Sequence, residues 1–359
     1  MATIKQVAQA AGVSYTTVSH VLNNTRPVSL EARERVLAAA AALHYVPSAL
    51  ARSLRSQTTG TIGLIIPNNT NPYFSEVARG IEDTCYGAGY SVILCNSDDD
   101  PAKQVDYLNV LLAKRCDGLI MAALAQTDGE LLRQRRVPAV FIDRAPEGLE
   151  NDVVGIDNHA GGELAGRHLL ALGRARIGCI GGPRELDVSD QRIAGMRLAL
   201  AGAGRTLDAG LVDAGDFTSA SGYAAALRLL TRPAGQRPDA LFCCNDMMAI
   251  GALRAAAELG IAVPAELAVV GFDDIDLAQF VHPPLTSVSQ GTRALGNITA
   301  ACLLARIAEP GRPLQQRRIA PTLIVRGSSV AAVPALSHIP SAAPSSAPAV
   351  RPISPGTFS

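Results

Sequence analysis

Nowhere is this sequence apolar for the ~18–20 consecutive residues that a membrane-spanning helix requires. A helical membrane protein is thereby excluded. Its first residues, Met1-Ala2-Thr3-Ile4-Lys5-Gln6, lack the charged start and apolar run of a secretory signal, so the chain is expected in the cytoplasm. Net charge is missing as well, 32 Lys and Arg facing 32 Asp and Glu. A wholly disordered or collagen-like chain is ruled out, because 48% of the residues are hydrophobic and only 18% charged. The seven cysteines are scattered without metal-ligand spacing. Their one adjacent pair, Cys243-Cys244, sits in an apolar run where buried free thiols are common. Neither a disulfide nor a metal site is expected. Enzyme signatures are also wanting: Gly178-Cys179-Ile180-Gly181-Gly182 is not Gly-x-Gly-x-x-Gly, and there is no phosphate loop ending in Gly-Lys-Ser/Thr and no Ser-His-Asp signature. The chain reads as a non-enzyme without a cofactor.

What is present begins with an asymmetry. Residues 1–59 hold six basic side chains (Lys5, Arg26, Arg33, Arg35, Arg52 and Arg55) against two acids, Glu31 and Glu34, a surplus that the remainder must cancel. A basic head on a mildly acidic body is the electrostatic footprint of nucleic-acid binding. The head also has helical spacing. Ile4, Val7, Ala8 and Ala11 recur on one face before Gly12 stops the helix. Ser14 can cap a second helix with Val18, Val21 and Leu22 inside, and Ser29 a third with Val36, Leu37, Ala40 and Leu43 inside. Two helices across the tight Ala11-Gly12-Val13 turn read as a helix-turn-helix. Tyr15, Thr16, Thr17, Ser19 and His20, near the start of the second helix, carry hydroxyls and an imidazole suited to base edges or phosphates in a major groove. A small helical bundle with a solvated polar face fits the same residues.

Four segments follow from the patterning. Residues 1–46 form the head. Residues 47–59 are short, basic and rich in small residues, with Pro47 able to start a helix but not to continue one, and read as a hinge that folds only with a partner. Residues 60–333 form the body. There apolar runs at 62–66, 92–95, 118–121, 139–142, 177–180, 240–243 and 267–272 alternate with amphipathic helical segments, which predicts doubly wound parallel sheets with helices on both faces. The length suits two subdomains, about 60–158 with 290–318 and about 159–289 with 319–333. Residues 334–359 turn into Pro, Ala and Ser and are expected to be a disordered tail.

The strings Ala2-Thr3-Ile4-Lys5-Gln6-Val7-Ala8, Gly12-Val13-Ser14, Thr17-Val18-Ser19-His20-Val21-Leu22-Asn23 and Pro47-Ser48-Ala49-Leu50-Ala51-Arg52-Ser53-Leu54 resemble the lactose/galactose repressor family, and within it the ribose and purine repressors. The resemblance extends to about residue 330. It implies an all-α helix-turn-helix head on an α/β body of periplasmic-binding-protein type. It also implies a homodimer on a near-palindromic double-stranded operator, with a small-molecule effector, a sugar in first place. By the same resemblance Thr3, Ser14, Tyr15, Thr16, Thr17, Ser19, His20, Asn23, Arg26, Ala51, Leu54 and Arg55 serve DNA binding. Leu54 would be a wedge in the minor groove, which agrees with the physics of apolar side chains that unstack a flexible base step. Core packing is the plainer role for that leucine.

Ligands of open α/β sheets bind beyond the carboxyl ends of the strands. Read at those ends, and by likeness to the family's sugar sensors, the cleft residues are Asn71, Tyr73, Phe74, Asp143, Arg144, Arg192, Phe217, Asn245, Asp273 and Gln290. Aromatic rings can cover the apolar faces of a sugar while carboxylates, guanidinium and amides pair with its hydroxyls. Asp143 and Asp273 could instead cap helices, and Asn245 suits a cap as well as a ligand contact. Asp157 and Asn158 read as turn residues, and Phe272 as core. Arg144 stands where the ribose and purine repressors have tryptophan, which favours a pentose or hexose over a purine.

Overall fold

The computed structural model describes residues 2–45, 58–122, 129–143, 150–183, 187–233 and 235–330. The hinge up to residue 57, with Ala51, Leu54 and Arg55, lies outside the described residues, as do Arg144 and the tail.

Three helices form the head: α1 (Ile4–Ala11), α2 (Tyr15–Asn23) and α3 (Leu30–Ala42). Each starts on a hydroxyl. Thr3 shares a capping box with Gln6, Ser14 accepts from the Thr17 amide, and Ser29 accepts from the Ala32 amide. Val7, Ala8, Ala11, Val18, Val21, Val36, Ala39 and Ala40 make a core separate from that of the body. The inward face of α3 differs from the expected one. Leu37 and Leu43 are 47% and 36% exposed, and Ala32 and Ala39 take the inner positions. In so alanine-rich a helix, small residues allow the close approach that leucines would block.

In the body, β1 (Thr61–Ile66), α4 (Pro72–Gly87), β2 (Ser91–Asn96), α5 (Pro101–Ala113), β3 (Gly118–Met121), α6 (Gly129–Arg135), β4 (Ala139–Ile142) and β5 (Asp152–Ile156) come first. Next are α7 (Asn158–Ala171), β6 (Ile177–Gly181), α8 (Asp187–Gly202), β7 (Val212–Ala214), α9 (Ser219–Leu230), β8 (Ala240–Cys243), α10 (Asp246–Glu258) and β9 (Ala268–Asp273). The last are β10 (Thr286–Ser289), α11 (Thr292–Ala308), β11 (Gln316–Ile319) and β12 (Thr322–Ile324). Asn71-Pro72 and Asp100-Pro101 show why α4 and α5 start where they do, an Asx cap followed by a proline whose missing amide costs nothing in the first turn.

Two six-stranded sheets result, with orders β11-β5-β4-β3-β1-β2 and β12-β10-β9-β8-β6-β7. The first is parallel throughout. The second is parallel except for the edge strand β12, which runs antiparallel to β10. Ile319 pairs with Ile156 in the first sheet, so the segment 290–318 extends one residue further than its pattern suggests. The chain crosses between sheets three times, after β5, after β10 and between β11 and β12. All seven cysteines are free and buried. No helix among the described residues is long and apolar enough to cross a membrane.

Candidate functional site

The helix-turn-helix presents the start of α2 outward. Tyr15 is 45% exposed, Thr16 is exposed, and Thr17 is half-buried with its hydroxyl 2.9 Å from that of Ser14. Thr3 and Ser14 are caps, so their oxygens already accept from helix amides at 3.4 and 3.0 Å. The unpaired amides of a helix N-terminus are themselves suited to a phosphate. His20 places Nδ1 2.8 Å from the Thr25 hydroxyl, and Arg26 is exposed. Ser19 departs from its expected place. It is 3% exposed, turned into the head, and its carbonyl accepts from Asn23 Nδ2 at 2.8 Å. A short hydroxyl can turn inward because it is easily satisfied within the helix.

At the carboxyl ends of both sheets a cavity of about 100 Å³ is lined by Pro67, Asn68, Asn71, Tyr73, Phe74, Asp99, Ala122, Ile142, Asp143, Val188, Arg192, Asp216, Phe217, Asn245 and Asp273. The rings of Tyr73 and Phe74 meet edge to face at 4.8 Å. Asn71 caps α4 through the Tyr73 amide at 3.0 Å and faces the cavity as well. Among the described residues Asp143 accepts from the Tyr73 hydroxyl and the Ile156 amide, both at 3.3 Å. Burial, with Asp143 and Asp273 nearby, pushes the Tyr73 hydroxyl well above its ordinary range. Asn245 fills both of its possible roles. It caps α10 through the Met248 amide at 2.9 Å, and its Nδ2 donates to the Phe217 carbonyl at 2.9 Å. Gly182 makes room for Phe217, since a Cβ there would stand 2.2 Å from the ring.

The floor is electrostatic. Arg192 is 5% exposed, donates Nε to Asn158 at 2.8 Å and Nη1 to the Cys244 carbonyl, and lies 3.8 Å from the Asp273 carboxylate. Asn158, read from the sequence as a turn residue, is the first residue of α7 and buried, so it orients the arginine. Gln290 does not line the cavity. It is buried behind Asp273 and donates Nε2 to it at 2.5 Å. Burial raises Asp273 to about 7, with Arg192 and Gln290 pulling the other way. Asp143, Phe217 and Asp273 all have positive φ, at 64°, 66° and 114°. Such conformations are held only where surrounding contacts over-determine them, and they collect at binding sites.

Sequence reading misses Asn68, Asp99 and Asp216 in this cavity. Each follows a strand, β1, β2 and β7 in turn, so the carboxyl-end rule applied strand by strand reaches them. Ala122 follows β3 in the same way, whereas Val188, in the first turn of α8, carries no such signal. Among the described residues no cluster of His, Cys, Asp and Glu could hold a metal ion.

Known proteins resemble both the head and part of the body. Residues 3–48 match the model for bacterial regulatory proteins of the lacI family, and residues 167–329 match the periplasmic binding protein-like domain. The ribose operon repressor of Escherichia coli strain K12 is 41% identical over 332 residues, covering 92% of this chain and 100% of its own. The HTH-type transcriptional repressor PurR of Photobacterium profundum is 40% identical over 332 residues, 91% of this chain and 98% of its own. Among solved structures, the lac repressor dimer bound to operator and the anti-inducer ONPF superimposes with a TM-score of 0.82 at 30% identity, covering 92% of this chain and 99% of the other.

Proposed function

Because the chain belongs to the lacI family of bacterial regulatory proteins, we propose that it is a cytoplasmic transcription repressor that binds a palindromic operator as a homodimer and answers to a small neutral sugar, ribose first. The observation that carries the sugar reading is the lining of the cavity. Asp99, Asp143, Asp216 and Asp273 all face it. A carboxylate accepts hydrogen bonds, and the Asp273 carboxyl, raised to about 7 by burial, can also donate one, so the lining suits a ligand rich in groups that do both. Every hydroxyl of a polyol is such a group, whereas a purine base divides its donors and acceptors among different atoms, none of which does both. Tyr73, Phe74 and Phe217 supply faces for the C–H surface of a sugar ring.

Ligand between the two sheets would favour their closure and alter how two copies hold their hinges. It shifts the DNA-binding equilibrium only by its differential affinity for the two states. For a sugar the expected sign is release of DNA. Thermal-shift measurements with ribose, other pentoses, hexoses, hypoxanthine and guanine side by side test the choice. Stabilisation by a pentose or hexose is expected. Stabilisation by the bases alone would replace this reading with that of a purine-responsive corepressed repressor, in line with the PurR relative.

A further inference from the structure

Several helices of the body close on a left-handed corner, and glycine does not take it at every one. After α7, α8 and α10, in the second subdomain, glycine takes it: Gly173 at φ 72°, Gly204 at 69° and Gly260 at 66°. Gly89, at 82°, does the same after α4. After α5 and α6 the corners are Arg115 at 57° and Arg136 at 53°. Glycine adopts this conformation freely and a side chain with a Cβ does not. Both arginines are exposed, and so are their neighbours Lys114 and Arg135. Cations at a helix C-terminus offset its dipole from many positions. That does not explain why they displace glycine from the strained one.

Their place in the fold does. The first sheet is parallel, so every strand starts at one end, and β1 starts there directly after the chain returns from the head. The Thr59 hydroxyl donates to the Arg115 carbonyl at 3.0 Å, and the Thr59 and Gly60 amides donate to Asp117 at 2.8 Å. β1, β3 and β4 are neighbours at ~4.8 Å spacing, so the two turns that carry the arginine corners enter the sheet one and two strands away from that return point. The C-termini of α4, α5, α6 and α11 point at the same end, each with a partial charge of about −0.5. A polyanion held by the head would be repelled by these four helix ends unless cations covered them. The carboxyl groups named at this end are fewer than the cations: Asp152 is paired with Arg306, which leaves Asp117, Glu150 and Glu309 against Lys114, Arg115, Arg135 and Arg136.

We propose that Arg115 and Arg136, with Lys114 and Arg135, form a cationic collar on the body that contacts the phosphate backbone of the DNA held by the head. The proposal rests on the reading of the head as a DNA-binding module. With Leu54 in the groove, Thr58 is four residues further on and at most about 14 Å away.

The test uses the full chain and duplexes that the unaltered protein selects from a random-sequence pool. Arg115→Gly/Arg136→Gly is expected to keep ligand affinity and to hold or raise Tm. The slope of log K against log KCl should become shallower by about 1.8, at about 0.9 per phosphate contact. Arg115→Lys/Arg136→Lys should keep the original slope. Lys114→Gln/Arg135→Gln, which leaves the corners untouched, should also make it shallower. An unchanged slope in the glycine and glutamine variants overturns the collar and leaves the regulator reading standing. An unaltered protein that selects no duplex overturns both.

Discussion

The guanidinium of Arg192 lies 3.8 Å above the ring of Phe272, at a position almost closed to solvent. The stack fixes the plane of the guanidinium, and Asn158 and the Cys244 carbonyl fix its rotation. Losing the guanidinium leaves the buried Asn158 oxygen and the Cys244 carbonyl without their donor, at roughly 1–3 kcal/mol each, while Asp273, at about 7, answers by taking up a proton. Arg192→Met is therefore expected to lower Tm by on the order of ten degrees and to abolish the response to ligand. Arg192→Lys keeps the charge but not the planar stack, and should fold better than the methionine variant while still failing to bind ligand. Calorimetry with and without ligand distinguishes the two, and wild-type binding by Arg192→Lys would refute the role of the stack.

Asp273 gives the body a pH dependence. Its folded-state value of about 7 stands above the ~3.9 of an unfolded aspartate, so the folded chain holds a proton that the unfolded chain releases. This contribution is fully favourable below about pH 4 and is lost as pH rises through about 7. Asp273→Asn removes the ionisation. The variant without ligand should gain in Tm on the wild type between about pH 5 and about pH 8. A difference that stays constant over that range would show that Asp273 ionises as an ordinary carboxylate.

Gly162 and Gly195 set how near α7 and α8 approach. A Cβ on Gly162 would stand 1.8 Å from the Arg192 carbonyl, and one on Gly195 would stand 1.9 Å from the His159 carbonyl. Gly162→Ala must push α8 and Arg192 outward, so it should destabilise by roughly 1–3 kcal/mol and weaken ligand binding as well. Gly202, at the end of the same helix, has open space around it and is the control. Gly202→Ala is expected to be neutral or slightly stabilising in the same melts.

In the head, Ser14→Ala deletes the cap of α2 at a cost of about 1 kcal/mol. Because the head has its own core, that loss should appear in DNA affinity and leave ligand affinity unchanged. Equal loss in both would mean that head and body do not fold as separate units.

Most of the fold is legible in the residues themselves. Fully buried parallel strands read as unbroken apolar runs, and β8 and β9 show it plainly. The failures are equally physical. Leu37 and Leu43 fit a helical period, but α3 contains so much alanine that more than one face could pack inward. Ser19 carries the chemistry of a DNA contact, and its short side chain also satisfies itself inside a helix. Eight of the residues read from strand ends and from the resemblance line the cavity, because topology alone collects carboxyl ends there. Asn158 and Gln290 act one layer behind, on Arg192 and Asp273; the strand-end rule reaches Gln290 but puts it in the cavity, because a place at a strand end does not tell the first layer from the second.

The three crossings between the sheets run side by side, since Ile319 pairs with Ile156 and Thr322 with Ser289. No single cut in the chain separates the two lobes. A fragment ending before residue 291 would lack α11 and β11 from one sheet and β12 from the other. Three adjacent tethers also act as a door hung on a row of pins: the lobes can swing about one axis but resist shearing or twisting independently. Whatever occupies the cavity therefore acts through a single mechanical coordinate.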